Sequence, residues 1–504
     1  MTTTKAGQAD SERLPTGVDG LDAILHGGVY RGGIYIVQGI PGSGKTILGN
    51  QICFASAARG ARALYVTLLA ETHSRMISHM RRLSFFDEAA LPDRITYIGA
   101  FRQLQENGLR GLLDLIRQEV RGTEAEVVVL DGLATVGESA SSNLELKKFV
   151  HELQTQAVFT NCTMFMLTSG IQFPQPLSPE YTMVDGLVEM KTRMFARYAV
   201  REMQVHKLRG SDYISGEHSF RIDDAGIHVF PRIEALLSRP TYPDTADGKL
   251  VTLGVDTLDS IIGGGIDRHS VTVITGPAGS GKTTLGLHFL SASTEDEPGL
   301  MLGFHENPAA VRLKAQRLGL PLEEFFSNGR FAMIWQPATE ALVDEVCIHL
   351  LQTVKERRVK RLFFDGVGGF ARLFPDRNRL EACLAALCNE LRGVGVTTLI
   401  TAETDLGGGA PAQPLGGLGL TGLSPVAENI IALRIAATRS EMHRLLAVMK
   451  ARHAQIDLRM RRFSIGNSGI VVDNDFGAAE QILGDLFGPG VRSAQAPKDA
   501  PRGD

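Results

Sequence analysis

"GIPGSGKT", residues 39–46, is the stretch on which the fold turns, and nearly the same eight letters return as "GPAGSGKT" at 276–283. A short apolar run precedes each copy: "GGIYIVQG" before the first and "SVTVITG" before the second. A helix-compatible run, "SGKTILGNQICFASAARG", follows the first. Both stretches fit the glycine-rich loop that cradles phosphates between a strand and a helix. The letters have physical reasons. Gly39, Gly42, Ser43 and Gly44, and in the second copy Gly276, Gly279, Ser280 and Gly281, let the chain curl until successive backbone N–H groups face one anion. The helix that follows points its positive end at the same place. Lys45 and Lys282 add a charge for the outer phosphates. Thr46 and Thr283 offer a hydroxyl to Mg²⁺, which prefers oxygen, and Thr284 completes the second set. The expected ligands are ATP and Mg²⁺.

The match extends outward from the loops. "TGVDGLDAILHGGVYRGGIYIVQG" begins at Thr16 and "LGVDTLDSIIGGGIDRHSVTVITG" at Leu253. Lys45 to Lys282 is 237 residues (282 − 45), and Asp22 to Asp259 is also 237 (259 − 22). The chain is a tandem duplication with a period far above that of solenoid repeats. Its 504 residues are too many for one ordinary core. The expected organisation is a tail at 1–11, a first domain at 12–237 and a linker at 238–250. A second domain at 251–484 and a disordered tail at 485–504 follow. Within each copy apolar runs alternate with helical ones. "ALYVTLLA", "AEVVVLDG" and "CTMFMLTSG" read as strands, with "GLRGLLDLIRQEVRG" and "LELKKFVHELQTQAVFTN" as helices. The second copy repeats this with "GLMLGFHE", "VKRLFFDG" and "GVTTLITAE". Strands apolar throughout, separated by helices, predict an α/β fold: a mostly parallel sheet with helices on both faces.

Strand-terminal carboxylates come next. Asp131 ends "VVVLD" and Asp365 ends "RLFFD", 234 residues apart (365 − 131). An acid at that point is expected to anchor the Mg²⁺ shell.

These signs together resemble the RecA-like ATPases, and within them the KaiC family. The resemblance spans residues 12 to about 475 as two tandem RecA-like P-loop NTPase domains. It rests on "PTGVDGLD", on the two loops, and on "VHKLRGSDYISGEHSFRIDDAGIHVFP" at 205–231. It implies a homohexameric ring with ATP between subunits, Ser/Thr autokinase activity, and a protein partner in signalling or clock-type regulation; slow hydrolysis is expected from the single glutamate that each copy keeps. It also implies that Lys207 and Arg209 of "KLRG", and Lys450 and Arg452 of "VMKARH", reach the neighbour's ATP. A cation delivered in trans would stabilise charge on the phosphoryl group in transfer. The plain alternative is a solvated basic strand end.

The chain departs from the family in two places. The family has two adjacent glutamates after the second strand; here each copy keeps one, Glu71 in "YVTLLAET" and Glu306 in "MLGFHEN". They are the candidate catalytic carboxylates, and a surface strand-end Glu is the plain reading of each. The family's adjacent Ser-Thr phosphosites correspond to Ser424-Pro425, so Ser424 alone is left as a phosphosite candidate, and a turn initiated by Ser-Pro is the plain structural explanation.

Composition narrows the function classes. The net charge is −4, against the basic balance of a nucleic-acid coat. The stretches 170–190 and 404–429, which would line a DNA-motor channel, hold no Lys or Arg, so a recombinase or helicase is the lesser reading. A third reading is an ATP-gated scaffold with negligible catalysis. The five scattered cysteines read as buried free thiols, and no signal core or membrane span is evident, so a cytoplasmic protein without a membrane partner is expected.

Overall fold

In the computed structural model, residues 12–68, 73–170, 179–195, 198–238, 248–337, 339, 341–404, 423–438, 441–452 and 457–487 are described. The chain divides into two compact units, Met1–Leu236 and Leu237–Asp504.

Each unit is built on one nine-stranded sheet. In the first, the strands are β1 (Ile34–Gly39), β2 (Ala63–Thr67), β3 (Ile95–Gly99), β4 (Val127–Asp131), β5 (Thr163–Thr168), β6 (Gly186–Phe195), β7 (Tyr198–Leu208), β8 (Glu217–Asp223) and β9 (Gly226–Phe230). Their order is β9-β8-β7-β6-β1-β5-β4-β2-β3. From β3 to β6 neighbouring strands are parallel, and β7, β8 and β9 extend the sheet antiparallel. The second unit repeats the plan with β10 (Val271–Gly276), β11 (Gly299–Gly303), β12 (Phe331–Trp335), β13 (Arg361–Asp365), β14 (Thr397–Glu403), β15 (Asn429–Ala437), β16 (Met442–Ala451), β17 (Arg461–Gly466) and β18 (Gly469–Val472). Its order is β12-β11-β13-β14-β10-β15-β16-β17-β18. This is the mostly parallel α/β fold expected from the continuous apolar runs.

The central strand has no polar face because both sides are covered. Tyr35 and Val37 of β1 enter one core cluster, together with the helix α1 (Lys45–Ala58). Ile34 and Ile36 enter the other, with α2 (Phe101–Thr123) and α3 (Asn143–Thr160). Within α2 the backbone breaks helical geometry at Gly108 (φ 63°), where the periodic run "GLRGLLDLIRQEVRG" begins. In the second unit α4 (Lys282–Ser291) follows the loop, α5 (Pro308–Arg317) follows β11, and α6 (Gly477–Phe487) ends the described chain, running past the boundary expected at 484.

The repeated "GVD.LD" motif is a local clasp. Asp22 accepts hydrogen bonds from Thr16 N and Oγ1 at 2.7 Å and from Gly17 N at 3.0 Å. Asp259 accepts from Leu253 N at 2.8 Å and from Thr252 Oγ1. Burial pushes both carboxyls up, and these hydrogen bonds oppose it. The carboxylate thus satisfies the buried turn that leads into the central strand. No described helix is long and apolar enough to cross a membrane.

Candidate functional site

Each glycine-rich loop leaves the C-terminal end of the central parallel strand and enters a helix. Gly44 and Gly281 sit at the helix N-caps with φ 103° and 105°, a left-handed conformation that favours glycine. Neither helix has a side-chain cap, so first-turn amides are left for a ligand. Gly39 and Gly276 are needed for closeness: an added Cβ would lie 2.5 Å from Ser43 Oγ in one and 2.6 Å from the Leu433 carbonyl in the other.

The loops are charged but self-satisfied. Lys45 Nζ donates to the carbonyls of Gly39 (2.7 Å) and Ile40 (3.0 Å). Lys282 Nζ donates to those of Gly276 and Pro277, both at 2.8 Å. Burial lowers both lysine pKa values, opposed by Asp131 in the first unit and by Glu403 and Asp365 in the second. Ser43 Oγ and Ser280 Oγ are buried with no hydrogen-bond partner among the described residues. A bent glycine-rich loop at an uncapped helix N-terminus, a lysine donating to carbonyls of its own loop, and an orphaned buried hydroxyl fit a polyphosphate.

Thr46 Oγ1 donates to Asp131 Oδ2 at 3.1 Å, and Thr283 Oγ1 to Asp365 Oδ2 at 3.0 Å. The hydroxyl and carboxylate expected to share a magnesium ion therefore meet in both units, an oxygen set that suits this cation. Their surroundings differ. Asp131 also accepts from Tyr65 OH at 2.8 Å, whereas Asp365 accepts from Thr401 Oγ1 at 2.7 Å. Burial raises the Asp365 carboxyl above its ordinary value; the Thr401 and Thr283 hydrogen bonds oppose this and the charge of Glu306 adds to it.

Glu306 lies just before α5, half-buried, and pairs with Lys314 of that helix. Glu71 lies outside the described residues, as do residues 171–178 and 405–422 of the two stretches weighed as channel loops. Ser424 is exposed in a turn.

The four remaining cations do not meet their own loop. Lys207 is the Cα partner of Leu187, and Leu187 of Ile36, three residues before Gly39 (39 − 36). Lys450 pairs with Ile430 and through it with Val273, three before Gly276 (276 − 273). Both lie about 10 Å short of the loop along the strand. Lys207 Nζ donates to the Thr182 and Tyr181 carbonyls at 2.9 and 3.3 Å, and Arg209 to Thr182 O at 2.9 Å and Met183 O at 3.3 Å. Lys450 donates to Ala427 O at 2.7 Å and Ser424 O at 3.0 Å, and Arg452 to Pro425 O at 3.3 Å. The side chains are not simply solvated strand ends; each pair holds the segment entering the neighbouring strand.

Sequence reading missed several groups. Arg444 Nε approaches the Gly279 carbonyl at 3.4 Å, so an arginine of the same chain stands at the second loop. Glu403 is the Cα partner of Gly276 and lies within electrostatic reach of Lys282. Both come from strands remote in sequence from the loop, with no motif of their own. Tyr65 and Thr401 face the aspartates for the same reason.

A family model described as "ATPase: KaiC" matches residues 14–234 and again 251–476. The chain belongs to the KaiC family of ATPases. The two matches coincide with the two sheets, and each contains one of the glycine-rich loops. Among similar proteins, "Circadian clock oscillator protein KaiC" of Picosynechococcus sp. is 23% identical over 94% of this chain and 92% of its own. The protein of the same name from Synechococcus elongatus is also 23% identical, over 94% and 91%. "Circadian clock oscillator protein KaiC 1" of Synechocystis sp. is 24% identical, over 94% and 91%. The likeness to KaiC therefore runs through both repeats.

Proposed function

We propose that this KaiC-family ATPase binds Mg-ATP at both loops, assembles into a ring, hydrolyses ATP slowly, and serves a protein partner in signalling or clock-type regulation.

 The observation that carries this is the duplicated meeting of loop threonine and strand-end aspartate beneath an open glycine loop, Thr46 with Asp131 and Thr283 with Asp365. Gly39, Gly42, Ser43, Gly44, Lys45 and Thr46 would hold the phosphates in the first unit; Gly276, Gly279, Ser280, Gly281, Lys282, Thr283 and Thr284 would do so in the second. The threonine–aspartate pairs would hold Mg²⁺, which when bound neutralises phosphate charge.

Hydrolysis needs a base and a cation. Glu71 and Glu306 are the proposed bases. A water oxygen bonds to the γ-phosphorus, the bond from that phosphorus to the bridging oxygen breaks, and its electron pair leaves with ADP. The water's proton passes to the carboxylate and then to solvent. Lys207 with Arg209, and Lys450 with Arg452, are the proposed trans cations. Their place about 10 Å short of their own loop along the strand, with the side chains held on other carbonyls, supports a neighbour's nucleotide as their target. This makes a closed ring of at least several subunits the working assembly, a homohexamer by family likeness.

The clock role rests on the names of the relatives alone. The kinase step has one observation in its favour: the Ser424 carbonyl is held by Lys450, so an exposed Ser424 travels with the cation aimed at the neighbour's ATP. Phosphopeptide mass spectrometry after incubation with Mg-ATP tests it, and an unmodified Ser424 removes the kinase reading. The central test is light scattering with and without Mg-ATP, with phosphate release on the same sample. Growth in mass with slow release is expected; no ATP binding in either half would sink the proposal.

A further inference from the structure

Glu306 is fixed from two directions. Its backbone runs directly into the cap of α5, where Asn307 Oδ1 accepts from Ala310 N at 2.9 Å and Pro308 occupies the first turn. Its side chain is tied through Oε1 to Lys314 Nζ, two turns along the same helix. Both side chains are about one-third exposed, and both act electrostatically on Asp365, so the pair stands beside the proposed magnesium carboxylate. The other carboxylate oxygen, Oε2, is buried and has no hydrogen-bond partner among the described residues. An ordinary surface ion pair leaves its spare oxygen to bulk water; this one keeps it covered and unpartnered among the described residues.

We propose that Lys314 is a positioning residue of the second half: it holds Glu306 by one oxygen so that Oε2 is presented to the water that attacks the γ-phosphate. The inference rests on the reading of Glu306 as the base. It is particular to this half, because the residue eight places after Glu306 is Lys314 (314 − 306), while eight places after Glu71 stands His79 (79 − 71).

The test uses the full chain. Phosphate release above that of K282M, which lacks the second loop lysine, defines second-half turnover. K314M is expected to lower that turnover about tenfold, because a misplaced base loses rate steeply. The KM for ATP, and the Kd of a fluorescent ATP analogue measured without Mg²⁺, stay within about twofold, since no phosphate contact is removed. K314Q should match K314M, and K314R should restore most of the rate. Unchanged or faster turnover in K314M and K314Q, or a raised KM with unchanged kcat, overturns the positioning role. E306Q separates the two failures: if it retains full second-half turnover, the base itself was wrongly chosen and Lys314 falls with it. If E306Q is slow and K314M is not, only Lys314 is misread.

Discussion

Asp365 lies half-buried between two threonine hydroxyls, and that environment has a measurable consequence. A carboxyl whose folded pKa is raised contributes stability only while protonated. That contribution is full below the unfolded value and is lost as pH rises through the folded one. Asp365 is such a group: burial raises it, the Thr401 and Thr283 hydrogen bonds oppose, and Glu306 adds to the rise. In the ligand-free protein at pH 7 the charge is therefore a cost. D365N is expected to raise Tm at pH 7, with the gain shrinking as the pH is lowered toward the carboxylate range, while second-half turnover falls about 100-fold for want of a metal anchor. Melting curves across pH, with phosphate release alongside, check both parts. Lys207 and Arg209 give a second prediction. Each holds carbonyls of its own chain, so K207A or R209A should change thermal stability by only about 1 kcal/mol. Either should nonetheless lower turnover about tenfold or more if the pair serves a neighbour's nucleotide. A sizing profile and turnover both unchanged in the two variants would count against that role.

The strand–loop–helix element explains why two further glycines recur at the same offset. Gly49 and Gly286 are 237 apart (286 − 49) and lie inside the helices that follow the loops. A Cβ at Gly286 would sit 2.0 Å from the Phe363 ring, and one at Gly49 3.0 Å from Val129 Cγ1. Phe363 and Val129 belong to the strands that end in Asp365 and Asp131. The glycines let the helix bearing the loop threonine close on the strand bearing the aspartate, which is what brings the two ligating groups together. G286V should destabilise the second unit by about 2–3 kcal/mol through overpacking, and G49A less, since its neighbour is a smaller side chain at longer range. Denaturant unfolding, with the two units followed separately, measures the difference. At this scale the sequence was readable where the signal is local. The loop letters, the strand-terminal acids and the amphipathic run after Gly108 all declare themselves within a few residues. The short segment gripped by Lys207 and Arg209 was not readable, because its carbonyls lie some 25 positions away along the chain.

For the whole molecule, duplication supplies two glycine-rich loops in one chain, and each unit places its paired cations away from its own loop. Mg-ATP is expected to increase the mass seen by light scattering. Removing the loop lysines in the double variant K45M/K282M should abolish that increase while leaving the secondary structure, followed by circular dichroism, intact. Growth in mass without nucleotide binding would dissociate assembly from the loops.

The sequence by itself determined the duplication, the alternating α/β pattern and the two phosphate loops. These depend on contiguous residues and on a spacing that survives in both copies. Only the tertiary structure decided that Thr401 and Tyr65 face different aspartates and that Glu403 and Arg444 flank the second loop. The physical reason is strand order. β14 lies beside β10 and β13 although more than a hundred residues of chain separate β10 from β14, and the side chains that meet there are chosen by sheet pairing, not by distance along the chain.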